Sequence, residues 1–184
     1  MTSQAPARTT WAIDPVHSTV EFRVKHLGIG IFRGRFTQVS GTAFFDESDL
    51  RNSSVEAVVP VSSLQVPGER FAGHLMTPDF FDAANTPELT FRSTSIEGVS
   101  GNRFALAGDL TIKGVTRPVR FEAEYLGRAK HPFAPREHAG FSATATVRRS
   151  DFGITWNAPL ESGGVYVGEE ITISLEIELA HDLG

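Results

Sequence analysis

The chain has 184 residues, a formal net charge of −5 and no cysteine. A chain of this length fits one domain whose core needs no disulfide or metal for stability. The absence of cysteine excludes thiol catalysis and cysteine-ligated metal sites, and the negative charge argues against a nucleic-acid partner, which requires clustered lysine and arginine.

The first ten residues are small and mostly polar, and they contain no apolar stretch. A secretory signal would need roughly 7–15 apolar residues in this region. Nowhere does the chain contain the run of about 18 apolar residues that predicts a membrane-spanning helix. We therefore expect a soluble, cytoplasmic protein with one domain over residues 9–181 and a disordered tail over residues 1–8.

Apolar and polar residues alternate with a period of two along most of the chain, which predicts strands with one buried face. In chain order, the clearest of these runs cover residues 20–24, 33–46, 55–61, 89–96, 104–112, 119–125, 141–147 and 171–179. We expect eight or nine strands in all. Glycine-containing turns are expected at Glu97-Gly98 and at Lys113-Gly114, where Gly114 supplies the positive φ of a hairpin.

Helical periodicity is confined to residues 69–76, where apolar residues recur four positions apart and predict a short amphipathic helix. Pro78 is expected to end this helix. Thr77 is expected to cap a second short turn through residues 79–81. A segment of this kind commonly closes one end of a barrel.

Short alternating strands occur in barrels and in sandwiches, and the pattern alone does not separate the two. Runs of about ten residues favour a barrel, which would be on the order of 25 Å tall with strands tilted by about 40°. The chain contains 14 phenylalanines but two tyrosines and two tryptophans. Because phenylalanine needs no hydrogen-bond partner, these rings suit an apolar cavity as well as an ordinary core.

The polar residues give little support to catalysis or metal binding. None of the six histidines has a neighbour at a metal-ligand spacing such as HxxxH, so we predict no metal site; they are His17, His26, His74, His131, His138 and His181. Asp14, His17 and Ser18 are of the types found in a catalytic triad, but at the start of a strand we interpret them as structural. No nucleophile elbow or phosphate loop is present, and we predict no catalytic residue.

Two groups of charged residues remain. Arg148, Arg149 and Asp151 follow a strand, and we favour a surface ion-pair set over contact with an anionic head group. His74 lies on the predicted helix one turn after Arg70. If this helix covers the barrel, both side chains are placed to hydrogen-bond a phosphate or a quinone oxygen; the alternative for His74 is an ordinary half-buried histidine.

Short motifs extend over nearly the whole chain. They are WAIDPVHS at residues 11–18, VEF at 20–22, VKH at 24–26, GRF at 34–36, HL at 74–75, PDFFD at 78–82, PELTF at 87–91, GDLTIKGVT at 108–116, RSDFGI at 149–154 and VG at 167–168. Their order and spacing together resemble those of the YceI family, polyisoprenoid-binding proteins with a lipocalin-like fold.

The resemblance implies an all-β fold, an extended eight-stranded antiparallel lipocalin-like barrel with one or two short helices around an apolar pore. It also implies a polyprenyl phosphate or an isoprenoid quinone as ligand, no cofactor besides that lipid, and a homodimer. Two features depart from the family. An Arg-Asp pair usually precedes the His-Leu motif, whereas residues 69–75 read ERFAGHL. Many members are exported, whereas this sequence shows no signal.

From the motifs and the alternation we predict a ligand site of ten apolar and two polar residues. The residues are Phe22, Val24, Phe36, Phe45, Leu75, Phe91, Leu110, Phe141, Phe152 and Ile154, with Arg70 and His74. An error of one residue in register would turn the set of a whole strand outward.

The leading hypothesis is non-enzymatic binding, transport or storage of a long amphiphilic isoprenoid. Burial of each CH₂ contributes about 0.8 kcal/mol relative to water. Such a lipid therefore resides in membranes, which the protein is expected to contact transiently. The alternatives are an enzyme that uses the barrel as a chamber, with the polar set His17, Arg70, His74 and Asp79, and a barrel filled by side chains that acts through its surface in a homodimer.

Overall fold

The computed structural model describes residues 9–183 and contains eleven antiparallel strands, one α-helix and three short 3₁₀ helices. The strands are β1 (Thr9–Ile13), β2 (Thr19–His26), β3 (Gly30–Phe36), β4 (Ser40–Phe45), β5 (Ser54–Pro60), β6 (Leu64–Gln65), β7 (Glu88–Ser100), β8 (Arg103–Ile112), β9 (Val115–Lys130), β10 (Arg136–Arg148) and β11 (Val167–Asp182). The helices are α1 (Glu69–Leu75) and the 3₁₀ turns Leu50–Asn52, Val61–Ser63 and Arg149–Phe152. The tail predicted over residues 1–8 lies outside the described residues.

Eight strands close into a ring in the order β1-β4-β5-β7-β8-β9-β10-β11. The ring closes where β11 pairs with β1 through Ala12–Ala180 and Ile13–Leu179. The short strands β2, β3 and β6 continue β1, β4 and β5 towards the other end of the barrel, so that each pair forms one bent strand of the wall. The prediction of an eight-stranded antiparallel barrel is confirmed, and the sandwich is excluded.

The strand predicted over residues 33–46 is interrupted, because the chain bends at residues 37–39 between β3 and β4. The backbone amide and the hydroxyl of Thr37 both donate to the carbonyl of Ser63, at 3.0 and 3.1 Å. Ser63 lies in the matching bend between β5 and β6, where its hydroxyl donates to the carbonyl of Pro60 at 2.7 Å. The two bends are thus tied together, and this part of the wall turns as a unit.

The two predicted glycine turns have different outcomes. The hairpin between β8 and β9 is confirmed, with Lys113 and Gly114 at φ values of 51° and 72°. The prediction of a turn at Glu97-Gly98 is wrong, because β7 continues to Ser100. Gly98, at a φ of 58°, instead lies in a bulge where the register with β8 shifts.

The two ends of the barrel are built differently. At one end, rings from four strands pack together: the centroids of Trp11 and Phe45 are 5.6 Å apart, and Phe45 lies 5.4 Å from Phe141 and 5.3 Å from Tyr125. At the other end, which we call the mouth, lie α1, the β2–β3 turn and the irregular residues 153–166. No helix among residues 9–183 is long and apolar enough to cross a membrane.

Helix α1 forms as predicted, and the second turn forms over residues 78–81, where the amide of Phe80 donates to the carbonyl of Thr77 at 3.0 Å, but the side chain of Thr77 does not cap it. The amide and the hydroxyl of Thr77 donate backwards to the carbonyl of His74, at 3.1 and 2.7 Å, so Thr77 stabilises the end of α1. Residues 76–87 then form a series of turns. The amine of Lys113 donates to the carbonyl of Pro78 and fixes this segment against the β8–β9 hairpin.

Candidate functional site

A cavity of about 980 Å³ occupies the interior of the barrel. This volume lies near the upper limit of ligand pockets, which span roughly 300–1,000 Å³. Thirteen of the 14 phenylalanines line the cavity, and Phe133, in the β9–β10 turn, does not. The interpretation of the phenylalanines as a cavity lining is therefore confirmed, and the hypothesis of a barrel filled by side chains is wrong.

All twelve residues of the predicted ligand site lie in the lining of this cavity. They are Phe22, Val24, Phe36, Phe45, Arg70, His74, Leu75, Phe91, Leu110, Phe141, Phe152 and Ile154. The residues chosen from the alternating runs thus lie on strand faces that line the cavity, a choice of face that the sequence left open. Contact of these residues with a ligand stays a prediction.

Two glycines allow phenylalanine rings to lie flat against the wall. A Cβ added at Gly34 would lie 2.6 Å from the ring of Phe22, which pairs with Gly34 across β2 and β3. A Cβ at Gly108 would lie 2.4 Å from the ring of Phe91. In both places the absent side chain leaves room for a ring, and the bore of the barrel stays open.

Aromatic rings and histidines form a row along the mouth. The ring of His74 lies edge-on to Phe80 and Trp156, at centroid distances of 5.0 and 4.8 Å. Trp156 continues to Tyr166 at 6.0 Å, and Tyr166 to His26 at 4.8 Å. All five side chains line the cavity, so its entrance combines flat apolar surfaces with imidazole and phenol groups.

Two polar groups of α1 reach this entrance. The Nε2 atom of His74 lies 3.0 Å from the Oδ2 atom of Asp79, which fixes the orientation of the imidazole. Arg70 lies one turn earlier and also lines the cavity. Among residues 9–183, Arg70 has no ion pair and no side-chain hydrogen bond. A guanidinium left free at an apolar mouth is available to an anionic or carbonyl group of a ligand.

Arg149 corrects the surface interpretation of its segment. Its side chain is 5% exposed, and its guanidinium donates to the carbonyl of Gly168 at the start of β11 at 2.9 Å and to those of Ile154 and Trp156 in the irregular segment at 3.0 and 2.8 Å. Burial lowers the pKa of Arg149, and Glu169 opposes this shift. Arg149 therefore holds the Trp156 loop at the mouth. Its neighbour Arg148 is exposed and lies 3.7 Å from Glu169, in agreement with the surface interpretation.

The sequence did not identify Phe32, Trp156 and Tyr166 as part of the lining, although all three belong to it. Trp156 and Tyr166 lie in residues 153–166, which form no named strand and show no periodicity. Phe32 lies on β3, which begins at Gly30. The predicted strand began at residue 33 and therefore left Phe32 out.

The triad-like residues near the start of β2 lie on the outer wall, away from the cavity. The hydroxyl of Ser18 is buried; it accepts from the amide of Glu178 at 3.0 Å and donates to the carbonyl of the same residue at 3.3 Å. Asp14 accepts from the amide of Val16 and lies 3.0 Å from the Nδ1 atom of His17. Their structural interpretation is confirmed, and His17 is separate from the chamber proposed for an enzyme.

The electrostatics of the Asp14–His17 pair follow from this contact. Burial raises the pKa of Asp14, but the hydrogen bond with His17 and the amide of Val16 outweigh it, and the net direction is downward. The hydrogen bond with Asp14 raises the pKa of His17. The pair therefore favours a carboxylate at neutral pH.

Comparison with known proteins supports the architecture. The family model described as a YceI-like domain matches residues 11–179. A UPF0312 protein of Vibrio parahaemolyticus is 36% identical over 157 residues, which cover 85% of this chain and 80% of the relative. Burkholderia cenocepacia BcnA has a similar fold, with a TM-score of 0.75 and 23% identity over 90% of this chain and 98% of BcnA.

A second solved structure shows the same fold at low identity. It is a polyisoprenoid binding domain from Saccharophagus degradans implicated in plant cell wall breakdown. Its TM-score is 0.65, its identity is 13%, and the match covers 93% of this chain and 98% of the domain. At this identity the comparison shows a shared barrel fold. It carries no information about the side chains that line the cavity.

Proposed function

Because the chain belongs to the YceI-like domain family, we propose that it binds a long isoprenoid amphiphile in the barrel and carries or stores it without chemical change. The observation that carries the proposal is the cavity of about 980 Å³ lined by 13 of the 14 phenylalanines. The Saccharophagus degradans neighbour, a polyisoprenoid binding domain, supports the ligand class.

The polar groups at the mouth suggest how the ligand is oriented. The apolar chain occupies the bore, and the head group lies at α1, where Arg70 and His74 line the cavity. A polyprenyl phosphate would pair with the guanidinium of Arg70, and a quinone oxygen would accept from the same donors. The free side chain of Arg70 favours the phosphate, since a cation of this kind gains most from an anionic partner.

The energetics favour a carrier. A long isoprenoid leaves a bilayer for a similarly apolar protein interior, so the net free energy of transfer is small and loading is reversible. Exposed apolar residues lie near the mouth and suit brief contact with a membrane: Ile29 is 90% exposed and Phe71 48%. The homodimer and the cytoplasmic location stay predictions from the sequence.

The first test is the lipid content of the protein. We expect organic extracts of protein purified without detergent to contain a prenyl lipid or quinone, detected by mass spectrometry. The lipid should stay bound during purification because its transfer into water is strongly unfavourable. Ubiquinone added to delipidated protein should quench Trp156, which lines the cavity, more strongly than Trp11, which does not. Empty extracts together with unchanged emission would reject the proposal.

The alternative is an enzyme with an isoprenoid-like substrate, and it depends on the His74–Asp79 pair at the mouth. The two side chains are 3.0 Å apart, close enough for an imidazole oriented by a carboxylate. A turnover screen with prenyl phosphates, repeated with His74→Ala, separates the two functions. Substrate consumption that disappears in the variant would support the enzyme, and an unchanged substrate pool supports the binding protein.

A further inference from the structure

The β2–β3 hairpin ends at the mouth in a tight turn whose side chains are apolar. Leu27 and Gly28 form the turn with φ values of 54° and 74°, and Ile29, which follows them, is almost fully exposed. Ile31, two residues further along β3, is also exposed. The hairpin therefore presents an apolar tip to solvent beside the entrance of the cavity.

Two other segments of the mouth add exposed apolar side chains next to this tip. The amide of Leu27 donates to the carbonyl of Tyr166 at 2.9 Å, which brings the exposed Val165 close to the turn. On the β3 side, the exposed ring of Phe71 in α1 lies 6.1 Å from the ring of Phe32. Exposed apolar residues that gather in one place mark an interaction site, whereas isolated ones do not.

The outward face of the same hairpin is positively charged. Arg23, Lys25, Arg33 and Arg35 are exposed and alternate with inward-facing residues of β2 and β3. Glu21, the one acidic residue between positions 19 and 36, lies opposite Arg35, at the end of the hairpin that is farther from the tip. The three cations closest to the tip therefore have no acidic residue on the hairpin to balance them.

Arg23 and Arg33 face each other directly across β2 and β3. Like charges in this position destabilise a sheet. On its other side, Arg23 lies opposite Thr172 of β11, which is neutral. Over residues 9–183, neither arginine takes part in an ion pair or a side-chain hydrogen bond, and neither does Lys25. An anionic partner on this face would relieve the repulsion.

We propose that the β2–β3 hairpin docks the mouth of the barrel on an anionic lipid bilayer. The apolar tip enters the boundary between head groups and acyl chains, and Arg23, Lys25 and Arg33 lie against lipid phosphates. At about 3.3 Å per residue, Lys25 and Arg23 are about 7 and 13 Å from Leu27 along the strand. These lengths match an insertion depth of about 5–10 Å and a screening length of about 10 Å.

The inference rests on the proposed function, because an isoprenoid resides in a bilayer, and it names the surface from which the cavity is loaded. The chain as a whole has a net charge of −5, so attraction to anionic lipids requires a local concentration of cations. The acidic residues of α1 and of residues 153–166, Glu69 and Glu161, lie outside the hairpin. The hairpin is therefore the part of the mouth that leads docking.

The test measures binding of the full chain to lipid vesicles by flotation. Vesicles with equal amounts of phosphatidylcholine and phosphatidylglycerol should bind the protein at least about fivefold more tightly than phosphatidylcholine alone, and added salt should reduce the difference. Arg33→Gln should weaken binding to the anionic vesicles about fivefold, the usual contribution of one cation near such a surface. Ile29→Ser should weaken it by at least a similar factor, because an apolar side chain no longer enters the bilayer.

Matched controls come from the opposite end of the barrel. Arg103→Gln removes the same charge from the start of β8, and Phe133→Ser removes an exposed apolar side chain from the β9–β10 turn. Both controls should bind anionic vesicles as the original chain does, and circular dichroism checks that all four variants are folded. Equal binding to neutral and anionic vesicles, or equal losses in the controls and the hairpin variants, would overturn the proposal.

Docking and lipid binding are read out separately. A chain that contains an isoprenoid but binds no anionic vesicle would overturn the docking proposal and leave the proposed function standing. A chain that binds anionic vesicles through the hairpin but neither contains nor takes up an isoprenoid would support docking and reject the proposed function.

Discussion

Gly41 shows how a single missing methyl group determines whether two strands pair. A Cβ at this position would lie 2.1 Å from the carbonyl oxygen of Glu56 and 2.9 Å from the Cα atom of Ala57. Both atoms belong to the backbone of β5 and cannot rotate away. We expect Gly41→Ala to lower the free energy of unfolding by at least about 1–3 kcal/mol, as measured by urea denaturation.

Gly30 provides the matched control for this substitution. It lies in β3 with an ordinary φ, and a Cβ there would meet the carbonyl of His26 at 3.6 Å, which is normal contact. Gly30→Ala should change stability by less than about 0.5 kcal/mol, or raise it slightly by restricting the unfolded chain. Equal losses in the two variants would show that close strand approach is not the cause.

Asp46 gives the clearest expected effect of pH. Hydrogen bonds from the side chains of Ser48 and Asn52 and the amide of Asp49 lower its pKa from 3.8 to about 2. Because the folded pKa is below the unfolded one, the stabilisation is complete above pH 3.8 and is lost as the pH falls towards 2. NMR titration should give a pKa near 2, and Ser48→Ala should move it upward. An Asp46 that titrates at 3.8 in the original chain would contradict this account.

At the scale of elements, the alternation of apolar residues predicted the long strands correctly but did not predict the bends between them. The run Ile171, Ile173, Leu175, Ile177 and Leu179 faces the cavity along β11 as the pattern predicts. The interruption at residues 37–39 depends on hydrogen bonds to Ser63, which is distant in sequence, so no local pattern reveals it. The same limit applies to Gly98, whose positive φ serves a bulge as well as it would serve a turn.

Arg149 illustrates the limit for irregular segments. The sequence analysis interpreted it as part of a surface ion-pair set with Arg148 and Asp151. In the fold its guanidinium donates to four backbone carbonyls of residues 154–168. These bonds hold the irregular segment of the mouth in place. The partners lie up to 19 positions away, and no pattern in the sequence points to backbone acceptors.

We expect Arg149→Lys to destabilise the protein by at least about 2 kcal/mol, although the charge is kept. A lysine ammonium cannot reach acceptors spread around a planar guanidinium, so several buried carbonyls lose their partner at about 1–3 kcal/mol each. Urea denaturation measures the loss, and the emission of Trp156 reports the loosened loop. Arg148→Lys is the control, with an expected change below about 0.5 kcal/mol because Arg148 is exposed.

At the scale of the whole molecule, the barrel keeps a large void that ordinary cores avoid. Empty space of this kind lowers stability, since cavity walls lose contact with neighbouring atoms. The cavity stays open because phenylalanine rings lie against the wall at Gly34 and Gly108, where no side chain stands in their way. Sequence composition was compatible with a cavity lining and with an ordinary core, and the structure shows an open bore.

This void allows ligand binding to be separated from folding. Ala143 is buried, lines the cavity and lies opposite Ala123 on the neighbouring strand. Ala143→Phe would place a ring in the bore, which should abolish the co-purified lipid. Filling a cavity also adds contacts, so the free energy of unfolding of the lipid-free protein should stay equal or rise by about 0.5–2 kcal/mol. Extraction with mass spectrometry and urea denaturation measure the two quantities.

Thr144 is the matched control because it is the next residue of the same strand and faces outward, where it is exposed. Thr144→Phe adds a similar ring without entering the bore, so it should leave the lipid content unchanged. A bound ligand also stabilises the original chain, by about 2.7 kcal/mol at a hundredfold excess over Kd, and this increment should be missing in Ala143→Phe alone. If Ala143→Phe folds and retains the full lipid content, the ligand lies elsewhere and the bore has no part in binding.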